Sequence, residues 1–128
     1  MKSVLIVDDS QSVREQLANV LEDAGYAVTE AVDGIDGCEK LKGRDEYDLI
    51  ICDVNMPGMD GLAMVEQVTS QENPVTTPIV MLTTEGQPEM IRRAKKAGAK
   101  GWIVKPFKPA LLLQTVEHLT HDKNGASS

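Results

Sequence analysis

The chain has 128 residues, enough for one domain with its own core, and its 41% apolar and 26% charged residues are ordinary for a globular protein. Aromatics make up only 3%, so aliphatic side chains must fill the core, and a formal net charge of −7 argues against non-specific nucleic-acid binding, which rests on Lys and Arg neutralising phosphates. No basic tract, zinc-type spacing, signal-peptide h-region or apolar run near the about 20 residues of a membrane span occurs, so a cytoplasmic protein without DNA binding or membrane insertion is expected.

Short apolar runs alternate with helical patterns along the chain. "SVLIV" (Ser3–Val7) is almost wholly apolar, as a strand covered on both faces should be. A helix follows, with Val13, Leu17, Val20, Leu21 and Ala24 on one stripe, Ser12 and Glu15 as a predicted capping box and Gly25 as the stop. "AVTEA" (Ala27–Ala31) alternates and is predicted to be an edge strand; a short helix from Ile35 to Leu41 succeeds it. The next buried strand is "YDLIIC" (Tyr47–Cys52), followed by the turn-rich "NMPGMDG" (Asn55–Gly61) and a helix with Leu62, Val65 and Val68 on one face. After the loop "SQENPVTTP" comes the strand "PIVMLT" (Pro78–Thr83), then a helix opened by Pro88 that carries Met90, Ile91, Ala94 and Ala97 before Gly98. "GWIVK" (Gly101–Lys105) is the fifth strand, and Pro109 opens a helix with Leu112, Leu113, Val116 and Leu119. The closing "HDKNGASS" has no periodicity, so a domain over residues 1–120, a frayed tail over 121–128 and no attached output module are expected. Cys38 and Cys52 fall in a predicted helix and a buried strand and read as small core hydrophobes.

Strict β–α alternation with short connections implies an α/β fold: a five-stranded parallel sheet with helices on both faces. Ligands of such sheets bind outside the carboxyl ends of the strands, where the strand order reverses. The first run ends in Asp8 and Asp9, the third in Asp53, the fourth in Thr83 and Thr84, and the fifth in Lys105. If the order is 2-1-3-4-5, three carboxylates meet at one rim with a hydroxyl and an ammonium beside them. Adjacent carboxylates repel, so the cluster calls for a positive partner. An all-oxygen site suits Mg²⁺, with Mn²⁺ as a substitute. Taken singly the same residues have plainer readings: a helix cap for Asp8 or Asp9, a turn residue for Asp53, a β-former for Thr83, a solvated lysine for Lys105. Their shared position at strand ends favours the site.

The motifs "VDDS", "DVNMPGMDGL", "MLTT" and "AKGWIVKPF" together resemble the receiver domain of two-component response regulators, most closely the single-domain chemotaxis type, from about Lys2 to Leu119. The resemblance implies the flavodoxin-like doubly wound sheet of order 2-1-3-4-5. It implies that Asp53 is the phosphoacceptor, that Asp9 binds Mg²⁺ directly and Asp8 through a water, and that the backbone carbonyl of Asn55 completes the metal shell. It also implies that the Thr83 hydroxyl and Lys105 contact the phosphoryl group, that Trp102 is the aromatic switch paired with Thr83, and that the Lys105–Pro106 bond is cis. Two positions depart from the family's usual residues. Trp102 is bulkier than the common Tyr or Phe, and Thr84 is larger than the common Ala or Gly. Asn55 and Glu85 occupy positions that influence how fast water removes the phosphoryl group, and a short-lived acyl phosphate is expected.

The implied function is that of a bacterial signalling protein, not an enzyme beyond its own phosphorylation and dephosphorylation. A histidine kinase would be the donor. A downstream target, such as a flagellar motor switch protein, would read the face formed by the fourth helix, fifth strand and fifth helix. A phosphorelay intermediate, or a regulator of another enzyme by contact, are the alternatives within the class. The basic residues Arg92, Arg93, Lys95 and Lys96 read either as a solvated helix face or as a contact for an acidic partner. A haloacid-dehalogenase-like phosphatase would want a second acid two residues after its nucleophile, where this chain has Asn55. A flavin carrier would want ring-stacking aromatics at the rim.

Overall fold

The computed structural model describes residues 2–42, 47–54, 60–71, 74–83 and 88–125, with side chains as far as 120. Five strands, β1 (Ser3–Val7), β2 (Ala27–Ala31), β3 (Leu49–Asp53), β4 (Ile79–Thr83) and β5 (Gly101–Val104), alternate with α1 (Gln11–Asp23), α2 (Gly34–Leu41), α3 (Gly61–Ser70), α4 (Pro88–Ala97) and α5 (Pro109–Gly125). All strand pairs are parallel, in the order β2-β1-β3-β4-β5. "AVTEA" is an edge strand, as its alternation predicts, and β5 forms the other edge.

The pleat divides the core in two. Leu5, Val7, Ile50, Cys52, Ile79 and Met81 point to one face, where Leu62, Val65 and Val68 of α3 and Ala94 of α4 cover them. Val4, Ile6, Leu49, Ile51, Val80 and Leu82 point to the other, against Leu17 and Leu21 of α1 and Leu112 and Val116 of α5. Burying each such aliphatic side chain is worth about 2 kcal/mol. That is the force that holds polar strand ends at one rim. Cys38 is half-buried on α2 and Cys52 fully buried on β3, both as thiols.

Several boundaries differ from expectation. The cap of α1 is Ser10, whose Oγ accepts from the Val13 amide at 3.3 Å; Ser12 lies inside the helix. Glu15 does not fold back to the helix start, because its carboxylate accepts from Gln11 Nε2 at 3.0 Å on the exposed face. Ala24 is exposed at the C-cap, while Gly25 follows with φ +96°, a left-handed conformation suited to glycine. β3 begins at Leu49 rather than Tyr47, since Asp48 instead accepts the Ser3 amide on its carboxylate at 2.8 Å and donates its own amide to Ser3. At the other end, α5 continues to Gly125, so residues 121–125 of the expected tail are helical. Helical backbone geometry outlasts the apolar periodicity there. Residues 55–59 of the turn-rich segment lie outside the described residues.

Candidate functional site

The carboxyl ends of β1 and β3 are neighbours, with Val7 opposite Cys52. Asp8 and Asp53 therefore emerge side by side, and they are only 1% and 3% exposed. Asp9, the next residue, is exposed. One carboxylate oxygen from each of Asp8, Asp9 and Asp53 lies within 4.8 Å of the others. The approach of Asp8 to Asp53 is set by the pairing of β1 with β3 and not by attraction, since the groups carry the same charge. Lys105, just past β5, reaches across to them: its Nζ is 3.1 Å from Asp53 Oδ1 and 3.3 Å from Asp8 Oδ2. The peptide bond between Lys105 and Pro106 is cis, and the Lys105 amide donates to the Thr83 carbonyl at 2.7 Å.

Burial by itself pulls the Lys105 ammonium toward neutrality, yet Asp53 and then Asp8 outweigh it and hold its pKa above the ordinary lysine value. Lys105 therefore stays charged. Behind Asp53, burial pushes the Cys52 thiol well up, and the Asp53 carboxylate adds to the effect, which makes Cys52 an inert thiol beside the site. Three carboxylates against one ammonium leave an excess of negative charge. A hard divalent cation matches both that excess and the all-oxygen donor set. Among the described residues this is the one cluster of three or more metal-ligating side chains. Asn55, Thr84 and Glu85 lie outside the described residues.

The backbone around the cluster is held from several sides. The Asp8 amide donates to the Ala31 carbonyl of β2 at 3.2 Å, and Asp8 Oδ1 accepts the Ser10 amide at 2.9 Å. Gly61 of α3 lies directly against the end of β3: a Cβ placed on it would fall 1.8 Å from the Asp53 carbonyl oxygen. Only glycine permits that approach.

Thr83 ends β4 and is 2% exposed. It lines a cavity of about 10 Å³ with Val54, Met81, Met90, Ile91, Ala94 and Trp102. Trp102 is half-buried on β5, and Lys95 of α4 places its ammonium 5.2 Å from the centre of the ring. The basic side chains of α4 divide their contacts: Arg92 pairs with Glu89 at 2.8 Å, Arg93 with Glu66 at 3.4 Å, and Lys95 covers Trp102.

The structure thus gathers Asp8, Asp9, Asp53 and Lys105 into one cluster and sets Thr83 and Trp102 on a shared cavity. The sequence reading passed over Arg14, whose Nη1 donates to the Asp8 carbonyl at 2.6 Å and whose Nε pairs with Glu30 at 3.0 Å. A cation in the first turn of a helix, where the dipole disfavours it, was the available signal.

The response regulator receiver domain family matches residues 4–117, nearly the whole described fold. The chain belongs to the response regulator receiver family. Among curated relatives, the chemotaxis protein CheY1 of Helicobacter pylori is 41% identical over 115 residues, which cover 89% of this chain and 93% of that protein. The chemotaxis protein CheY-3 of Vibrio cholerae is 37% identical over 91% of this chain and 89% of its own length. A crystal structure of the chemotaxis protein CheY4 of Vibrio cholerae superimposes with a TM-score of 0.85 at 46% identity, covering 93% of this chain and 98% of that one. The chain is a CheY-like receiver, similar to chemotaxis signalling proteins. No helix among the described residues is long and apolar enough to cross a membrane.

Proposed function

We propose that this receiver takes a phosphoryl group onto Asp53 from the phosphohistidine of a sensor kinase, or from a small acyl phosphate, and thereby changes how its α4–β5–α5 face binds a downstream protein in cytoplasmic chemotaxis signalling. The approach of Asp8, Asp9 and Asp53 within 4.8 Å, with Lys105 bridging two of them, supports this reading most directly. Residues 1–120 form the receiver on this view.

Asp9 would hold Mg²⁺ directly, with Asp8 acting through a water and the Asn55 carbonyl and an oxygen of Asp53 completing the protein's share. Bound there, the ion would neutralise phosphoryl oxygens and orient them for in-line transfer. The remaining work falls to side chains. A carboxylate oxygen of Asp53 forms the new bond to phosphorus as the phosphorus–nitrogen bond of the donor breaks, and the departing imidazole retains that electron pair. Lys105 is already ionised beside Asp53 and transfers its pairing to the phosphoryl oxygens, which carry more charge than the carboxylate they replace. The Thr83 hydroxyl donates to one of those oxygens. As Thr83 turns, the cavity it shares with Trp102 changes shape, and the ring and α4 move with it. Such a change shifts a population only because the phosphoryl–Thr83 hydrogen bond exists in one state and not the other.

The test is uptake of one phosphoryl group from acetyl phosphate in the presence of Mg²⁺, followed by intact-mass spectrometry. Uptake should require the metal and vanish in Asp53→Ala. An Asp53→Ala protein that still gained one phosphoryl group at the parental rate would overturn the assignment. Recovery of partners with treated and untreated protein separates motor control from phosphorelay and from regulation of another enzyme.

A further inference from the structure

We infer that Arg14, together with Glu30, is a positioning residue for the metal ligand Asp9, acting through the main chain of the β1–α1 junction. This rests on the metal-assisted reading above.

Asp9 is exposed, and an exposed carboxylate on a free loop would sample many positions. Its main chain is not free. A peptide unit is planar, so fixing its oxygen fixes the orientation of the whole unit between two Cα atoms. The unit joining Asp8 to Asp9 is fixed by Arg14 Nη1 on the Asp8 oxygen at 2.6 Å. The unit joining Asp9 to Ser10 is fixed by its amide on Asp8 Oδ1 at 2.9 Å. The unit before Asp8 is fixed by the Asp8 amide on the Ala31 carbonyl of β2. Asp9 therefore stands on two pinned peptides, and the direction of its Cα–Cβ bond follows from them.

Arg14 is placed there against local preference. It is the fourth residue of α1, in a first turn that carries no acidic residue, and its side chain is only 11% exposed. A cation is disfavoured both at that end of a helix and by burial. The compensation comes from Glu30 on β2, sixteen residues along the chain, whose Oε1 accepts from Nε at 3.0 Å. The guanidinium fork serves both acceptors at once, and a lysine has no such fork. Because Glu30 neutralises its charge, Arg14 holds the Asp8 carbonyl without presenting an unbalanced positive charge to an incoming cation.

Mn²⁺ is the probe, its free concentration counted by electron paramagnetic resonance during titration of the folded protein, with circular dichroism and a melting curve on each variant. The charge-balanced double variant Arg14→Met/Glu30→Gln should raise the Mn²⁺ dissociation constant about tenfold, the usual size of an outer-shell effect. Arg14→Lys, which keeps the charge and loses the fork, should weaken binding in the same direction and serves if the double variant does not fold. A purely structural role would lower the melting temperature of either variant yet leave its Mn²⁺ affinity intact. A folded double variant, or in its absence a folded Arg14→Lys, whose dissociation constant stays within twofold of the parent's overturns the inference. A parent protein that binds no Mn²⁺, or binds it equally after Asp9→Ala, overturns the metal reading itself and this role with it.

Discussion

Replacing Gly61 by alanine perturbs Asp53 without touching its side chain. The Gly61 amide donates to the Val54 carbonyl at 3.0 Å, which draws the start of α3 against the end of β3. An alanine Cβ would lie 1.8 Å from the Asp53 carbonyl oxygen and 2.7 Å from its carbonyl carbon, whereas real Cβ atoms do not come within 3.0 Å of such neighbours. Both obstacles are main chain, so the helix and strand end must separate by about 1 Å. Overpacking of this kind costs about 1–3 kcal/mol. For a domain of this size the melting temperature falls by roughly 5–10 °C. Misplacing a reacting group by about 1 Å costs on the order of a hundredfold in rate. The expected result is a protein still folded at room temperature whose initial rate of phosphoryl uptake from acetyl phosphate is about a hundredfold below the parent's. Gly98→Ala is the control. Gly98 has φ +109° and its Cβ would meet only Thr69 Cγ2 at 3.9 Å, so the substitution strains the backbone far from Asp53. It should lose stability and keep the parental rate. A parental rate in folded Gly61→Ala, or equal slowing in both variants, would refute the reasoning.

Asp9→Asn removes one of three like charges gathered within 4.8 Å, so without divalent ions it should gain about 1 kcal/mol of stability. Mg²⁺ should raise the urea midpoint of the parent and leave that of the variant unchanged; urea midpoints with chelator and with Mg²⁺ check both expectations. Lys105→Met should be destabilised at neutral pH, because Asp8 and Asp53 lose their shared ammonium. The parent's advantage should shrink at alkaline pH. A lysine whose pKa is raised on folding contributes fully below its unfolded value of about 10.5 and loses the contribution as pH climbs through the higher folded value. A gap between parent and variant that stays constant into that range would contradict the pairing. Lys95→Ala removes the cation over Trp102, a contact worth about 0.5–1 kcal/mol near a surface. With one tryptophan in the chain, acrylamide quenching reads this directly and should become more efficient.

The parts of the molecule that follow from periodicity were legible before any coordinates. Unbroken apolar runs place three buried strands, alternation places β2 at an edge, and the residues at the ends of the first, third and fifth runs supply the carboxylates and the lysine. The family motifs were needed for the order of strands and for the roles proposed for Thr83 and Trp102. What escaped depends on where elements meet. A Ser-x-x-Glu spacing at Ser12 looked like a cap, while Ser10, next to two aspartates, was already in position to cap the helix. Asp33 caps α2 by accepting the Asp36 amide, and Asp36 in turn accepts the Val32 amide, a reciprocal pair visible only once the chain turns. Arg14 finds Glu30 across two elements, and Gly61 matters because a carbonyl of another element lies against it. No spacing rule encodes either contact.

Asp8, Asp53 and Lys105 stand at the ends of three strands, and β1 and β5 are separated in the sheet by β3 and β4. Unfolding any one of them scatters the cluster, so whatever binds there stabilises the domain as a whole. Occupancy is then linked to the global transition, and each tenfold increase in a saturating ligand adds about 1.4 kcal/mol to the unfolding free energy. A melting curve becomes a gauge of what the rim holds: ions and phosphoryl mimics can be ranked by heating the protein with each in turn, whichever pathway it serves.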